Sequence, residues 1–179
     1  CPGLDVAVAS SIPPGGGLSS SAALELATAH LLEAVTGQTL TPTERIQVCV
    51  QAEREMAGVP CGIMDQTVVE LAKCGQALLL DCADQTARPV PLDSQAPALL
   101  VIQSGVSHAL AEGAYAQRRA DCEQASAQLG VKSLRDVSLD QLAGLKAAPL
   151  LHQRATHVVS ENQRVCDAVA AIEQGQWDR

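Results

Sequence analysis

Three consecutive glycines inside Pro13-Pro14-Gly15-Gly16-Gly17-Leu18-Ser19-Ser20-Ser21-Ala22-Ala23 constrain this chain more than any other stretch. Glycine takes positive φ readily and leaves no Cβ between the backbone and a close ligand. The serines that follow are favoured helix N-caps. Before the loop, Leu4-Asp5-Val6-Ala7-Val8-Ala9 alternates apolar residues and predicts a strand; after it, Ala22 to Val35 places Leu24, Ala27, Leu31 and Val35 at helical spacing. A glycine loop between a strand and a helix ends on an open helix N-terminus, where free N–H groups and the helix dipole favour an anion. Serine hydroxyls there can reach a phosphate oxygen or its metal ion. Standing alone, such a loop would read as a linker; its flanks argue for a phosphate cradle. A Walker A loop is excluded because no Gly-Lys-Ser/Thr follows the glycines. A Rossmann unit fits poorly, since Thr36-Gly37-Gln38 leads to a second helix rather than a second strand ending in an acidic residue.

A core must be built from Leu, Val, Ile and Ala, because the 179 residues include one Trp, one Tyr and no Phe. The formal net charge of −8 argues against nucleic acid or an anionic membrane as partner. No apolar run reaches membrane-spanning length and no signal peptide is visible. The chain starts at Cys1 without a methionine and stops just after a helical pattern, so it reads as a stretch of something longer. Its seven cysteines show no Cys-x-x-Cys, and its four histidines form no metal motif. Buried, reduced thiols in a cytoplasmic protein are the expectation.

Thr41-Pro42-Thr43-Glu44 combines a capping box with proline at the first helical position and opens a second helix. Its inward stripe reads Ile46, Cys49, Val50, Glu53, Met56 and Ala57, and Gly58-Val59-Pro60 ends it. Glu53 thus lies in an apolar stripe, where a carboxylate needs a cation, a hydrogen-bonding partner or a proton. An arginine such as Arg54 would serve; so would a metal. Next, Cys61-Gly62-Ile63-Met64-Asp65-Gln66 leads into a helix that puts Asp65 on one face with Val68, Val69 and Ala72. Asp65 is either an N-cap or a second inward carboxylate. Two such carboxylates beside a phosphate loop are the parts that phosphoryl transfer requires.

Gln76 to Cys82 reads as a buried strand, and Asp84 to Pro97, with three prolines, as a crossover. A further strand, Ala98 to Ile102, runs into the turn Gln103-Ser104-Gly105. A helix with Tyr115, Arg118, Arg119, Cys122, Ala125 and Leu129 stops at Gly130. Short capped helices start from Ser133 and Ser138, and a long helix from Pro149 to Gly175 carries Leu151, Ala155, Val158, Val159, Val165, Val169 and Ile172. The boundary falls near residue 94, giving domains 1–94 and 95–179.

These residues together resemble the galactokinase branch of the GHMP small-molecule kinases. The glycine-serine loop points to the wider family. Cys61-Gly62-Ile63-Met64-Asp65-Gln66 and Tyr115-Ala116-Gln117-Arg118-Arg119 single out the branch, and Arg154-Ala155-Thr156-His157-Val158-Val159-Ser160-Glu161-Asn162 is similar to another family stretch. The resemblance implies an α+β fold of two domains, here the end of the N-terminal domain and the start of the C-terminal one. It also implies ATP-dependent phosphorylation of the anomeric hydroxyl of galactose. ATP phosphates would lie on Pro14, Gly15, Gly16, Gly17, Leu18, Ser19, Ser20, Ser21 and Ala22, with Mg²⁺ on Ser21 and Glu53. Asp65 would be the catalytic carboxylate, and Gly62, Asp65 and Tyr115 would contact the sugar.

A monomer is the expected state of the whole protein. Two family elements, a segment carrying a catalytic arginine and a glycine-rich motif that closes over the phosphates, have no counterpart in these residues. The 179 residues alone are therefore expected to be inactive. Gln103-Ser104-Gly105 and Ser107-His108 depart from the usual family pattern of Asn-Ser-Asn and a following basic residue. Two other readings share the same motifs: a sugar and ATP sensor without turnover, and a kinase of N-acetylgalactosamine or arabinose.

Overall fold

A computed structural model describes residues 3–58, 60–102 and 111–177. Cys1, Val59, Gln103-Ser104-Gly105 and Ser107-His108, which the sequence analysis singled out, lie outside the described residues. The chain divides into two compact units, Cys1–Pro89 with Leu100–Val106, and Val90–Leu99 with Ser107–Arg179. Helices with one small antiparallel hairpin make up the fold, the α+β class expected.

In the first unit three helices pack on one another: α1 (Ser20–Thr36), α2 (Pro42–Ala52) and α3 (Met64–Leu71). Gly37, at φ 71°, ends α1 in the left-handed conformation that glycine tolerates. The capping box of α2 forms as expected, with the Thr41 N–H donating to Glu44 Oε2 at 2.8 Å and Pro42 opening the helix. A buried guanidinium ties the three helices together. Arg45 of α2 donates to Glu33 of α1 at 2.8 and 3.1 Å, to the Leu40 carbonyl at 3.0 Å, and to Glu70 of α3. These bonds hold the Glu33 carboxyl down at about 2, the Arg45 side chain first and the Leu40 N–H second.

The buried face of α1 differs from the expected stripe. Ala22 and Leu26 are buried against α2 and α3, whereas Leu24, Leu31 and Val35 are exposed. Apolar residues lie most of the way round this helix, so spacing alone does not select the packed face. In α2, Ile46, Cys49 and Val50 point inward as expected, but Met56 is 87% exposed. The cause is a single π-helical turn, Glu53–Ala57, which follows α2 directly. Its wider turn shifts the angular phase, so Met56 and Ala57 leave the stripe that the α-helical spacing assigned them.

The strand expected at Leu4–Ala9 does not form; that segment is irregular and exposed. Ala98–Ile102 is likewise no strand, with Leu99 93% exposed. A strand needs a neighbour to take up its N–H and C=O groups, and the strands among the described residues pair only with each other. They are β1 (Gln76–Asp81) and β2 (Thr86–Pro91). β1 is half-buried rather than buried. β2 occupies what the prolines suggested was a crossover. In a two-stranded sheet each strand is an edge, where Pro89 and Pro91 cost no ladder bond on the open side. The connecting turn is held by Asp84, whose Oδ1 accepts from the Thr86 N–H at 3.0 Å and hydroxyl at 2.6 Å.

In the second unit, α4 (Ala111–Leu129) and α5 (Pro149–Glu173) enclose two 3₁₀ segments, Leu134–Asp136 and Leu139–Leu145, capped at Ser133 and Ser138 as expected. Ala125, Leu134, Val137, Leu142, Leu145, Leu151, Ala155 and Val159 form the core. Val165 is exposed because the packed stripe of α5 ends near Val159. Among the described cysteines, all of them free, only Cys49 is fully buried; Cys74, Cys82 and Cys166 are exposed, contrary to the expectation of buried thiols. Reduced cysteine is compatible with either location, so apolar neighbours in sequence were a poor guide to burial.

Candidate active site

The loop from Pro13 to Ser19 lies at the N-terminus of α1. Gly15 and Gly17 take φ of 69° and 72°, a conformation other residues resist. Ser19 takes it as well, at φ 54° and ψ 39°, and its side chain makes no capping hydrogen bond. The expectation that a serine hydroxyl caps this helix is therefore not met at Ser19, because the left-handed backbone turns the side chain away from the cap geometry. The first turn of α1 keeps unsatisfied N–H groups at the positive end of the dipole, a seat for an anion. Left-handed backbone at a serine is strained, and such strain collects where a loop serves a ligand.

One turn into α1, Ser21 donates to Glu53 Oε1 at 2.8 Å. These residues, 32 apart in sequence, meet because α1 packs on α2 and Glu53 begins the π turn. Arg54, a candidate partner of Glu53, instead donates to the Cys61 carbonyl at 3.0 and 2.7 Å. Glu53 Oε2 accepts from Gln66 Nε2 at 2.6 Å, and the same nitrogen donates to Glu25 Oε2 at 3.0 Å. Burial lifts the Glu25 carboxyl above its usual range; the Gln66 hydrogen bond opposes this and the charge of Glu53 adds to it. The Cys61 thiol is also pushed up, by burial first and then by Glu53.

A hydroxyl and a carboxylate oxygen side by side are hard donors of the kind Mg²⁺ takes. The Gln66 amide oxygen is buried and unpaired, and the neighbouring carboxylates of Glu25 and Glu53 form no salt bridge to a cationic side chain among the described residues. The donor set thus fits a divalent cation. Among the described residues no group of three or more His, Cys, Asp or Glu could hold a metal alone. A cation here would take its remaining ligands from phosphate and water, as Mg²⁺ commonly does.

Asp65 sits in the first turn of α3, half-buried, and its carboxylate has no hydrogen-bond or ion-pair partner among the described residues. It does not face an apolar surface with Val68 and Val69, as expected; both valines are exposed, and the buried face of α3 carries Gln66 and Thr67. Gln66 points inward because its amide donates to Glu25 and Glu53, which leaves the valines on the outer side. Gly62 precedes α3, and a Cβ placed on it would meet nothing within 4 Å. Tyr115 lies on α4 in the second unit, 48% exposed. Sequence reasoning assigned no role to Glu25 or Gln66. Glu25 stands one helical turn after Ser21, a spacing that could have placed it on the same face; nothing in sequence marks Gln66 as buried.

Residues 2–73 match the model of the GHMP kinases N terminal domain, a span that includes the loop, Ser21, Glu53 and Asp65. The match lies in the first part of the chain, and likeness to curated relatives extends along the rest of it. The relatives it resembles are galactokinases. It is 43% identical over 178 residues to those of Bos taurus and Homo sapiens, covering 98% of this chain and 45% of each relative. It is 42% identical over 180 residues to that of Roseiflexus sp. strain RS-1. The fold matches the crystal structure of Lactococcus lactis galactokinase complexed with galactose, with a TM-score of 0.77 and 27% identity over 92% of this chain and 44% of that one. The chain thus spans a little under half the length of the curated relatives it matches. Among the described residues no helix is long and apolar enough to cross a membrane.

Proposed function

We propose that the whole protein transfers the γ-phosphoryl group of ATP to the anomeric hydroxyl of galactose, giving galactose 1-phosphate and ADP. The observation that carries this reading is the meeting of Ser21 and Glu53 at 2.8 Å beside a helix N-terminus without a side-chain cap, with Asp65, which has no partner among the described residues, adjacent in sequence to Gln66 of the same cluster. The residue types match what the reaction needs, since phosphoryl transfer is mostly positioning and charge neutralisation. The glycine loop and the first turn of α1, Pro14 to Ala22, cradle the phosphates. Ser21 and Glu53 would hold Mg²⁺, which when bound offsets phosphate charge. Asp65, without a partner among the described residues, accepts a hydrogen bond from the sugar hydroxyl, orients it and takes its proton. Gly62 admits the sugar close to the backbone. The site is assigned to the cytoplasm and to a monomer on the family resemblance alone.

The test is a coupled assay of ADP release by the whole protein with galactose, N-acetylgalactosamine and arabinose in parallel. Turnover with galactose in preference to the others supports the proposal. Sugar and nucleotide binding without turnover would make the protein a sensor.

A further inference from the structure

Gln66 is wholly buried, yet its amide oxygen has no hydrogen-bond partner among the described residues, a costly arrangement that an apolar residue of similar size would avoid. Its amide nitrogen explains the cost. Nε2 donates to Glu53 Oε2 at 2.6 Å and to Glu25 Oε2 at 3.0 Å, joining a carboxylate on α1 to one on the π turn. The opposite amide orientation would set the carbonyl oxygen against both carboxylates, so the direction is dictated by charge. Glu53 is thereby divided between two partners, with Oε2 on Gln66 and Oε1 on Ser21. A carboxylate held at one oxygen by a buried amide has a single orientation, and its other oxygen is presented to whatever Ser21 faces.

We propose that Gln66 is the positioning residue for Glu53: from α3 it fixes the carboxylate so that Oε1 is presented beside Ser21 to the metal, with Glu25 anchoring the amide from the far side. This rests on the reading of Ser21 and Glu53 as metal-holding.

The experiment titrates Mn²⁺, as a paramagnetic stand-in for Mg²⁺, into the whole protein with a non-hydrolysable ATP analogue, read by electron paramagnetic resonance. Gln66→Leu, which keeps the volume but not the donor, should weaken Mn²⁺ binding about 10- to 100-fold, the range seen when partners of metal ligands are removed. The KM for galactose should stay unchanged. Glu25→Leu should shift affinity in the same direction by less, and it carries the test if Gln66→Leu does not fold. Glu53→Gln is the control for the underlying assignment. A folded Gln66→Leu protein with wild-type Mn²⁺ affinity, while Glu53→Gln has lost it, overturns the role of Gln66 alone; in an unfolded Gln66→Leu background, an unchanged Glu25→Leu does the same. If Glu53→Gln itself binds Mn²⁺ normally, the metal assignment falls and the inference with it.

Discussion

Replacing Asp65 by Asn separates chemistry from folding more cleanly than any other change at this site. The side chain has no hydrogen-bond or ion-pair partner among the described residues, so Asn, of nearly identical shape, breaks no contact. What the fold loses is the interaction of a negative charge with the N-terminal end of α3, about 0.3–1 kcal/mol for a first-turn position. What the reaction loses is a carboxylate at the attacking hydroxyl, worth at least about a hundredfold in turnover, or about 2.7 kcal/mol of transition-state stabilisation. The activity deficit should thus exceed the stability deficit several-fold, with ATP affinity nearly intact. Steady-state kinetics of the whole protein and urea unfolding of the same preparation measure both. Wild-type turnover in Asp65→Asn would remove Asp65 from the mechanism. A stability loss matching the activity loss would show instead that the carboxylate has a structural partner.

Gly62→Ala should fold normally, because its Cβ meets open space, while raising the KM for galactose more than it lowers kcat; an unchanged KM would remove Gly62 from the sugar site. Acid should erode the tie between α1, α2 and α3. Folding lowers the Glu33 pKa to about 2, so below its ordinary value of about 4.3 the unfolded chain binds the extra proton, and the contribution of Glu33, full above about pH 5, drains away as pH falls toward 2. Glu33→Gln should flatten the loss of helical circular dichroism across that window, and an unaltered acid transition would refute the linkage. The 179-residue chain should bind a hydrophobic dye through its exposed apolar run at Leu99 to Ile102, and replacing Leu99 and Leu100 by Lys should cut the fluorescence; an undiminished signal would place the dye elsewhere.

Local signals in the sequence were sufficient wherever the physics is local. The capping box at Thr41, the glycine stops at Gly37 and Gly130, the 3₁₀ starts at Ser133 and Ser138, and the glycine loop entering α1 all depend on residues within a few positions of each other. Ser21, Glu53 and Asp65 could be singled out as candidates for the same reason, since each stands in a local motif or stripe, and the structure brings Ser21 and Glu53 together. Which face of a helix is buried was not legible. On α1, apolar residues lie nearly all round, and only packing against α2 and α3 chose Ala22 and Leu26 over Leu24 and Leu31. Strands failed where pairing decides: Leu4–Ala9 and Ala98–Ile102 carry strand-like patterns without neighbours, whereas proline-containing Thr86–Pro91 found β1. The π turn at Glu53, which sends Met56 into solvent, breaks the 3.6-residue period that sequence reading assumes. The amide bridge from Gln66 to Glu25 and Glu53 lies beyond any local pattern, because it joins three separate segments and exists only once their helices have packed.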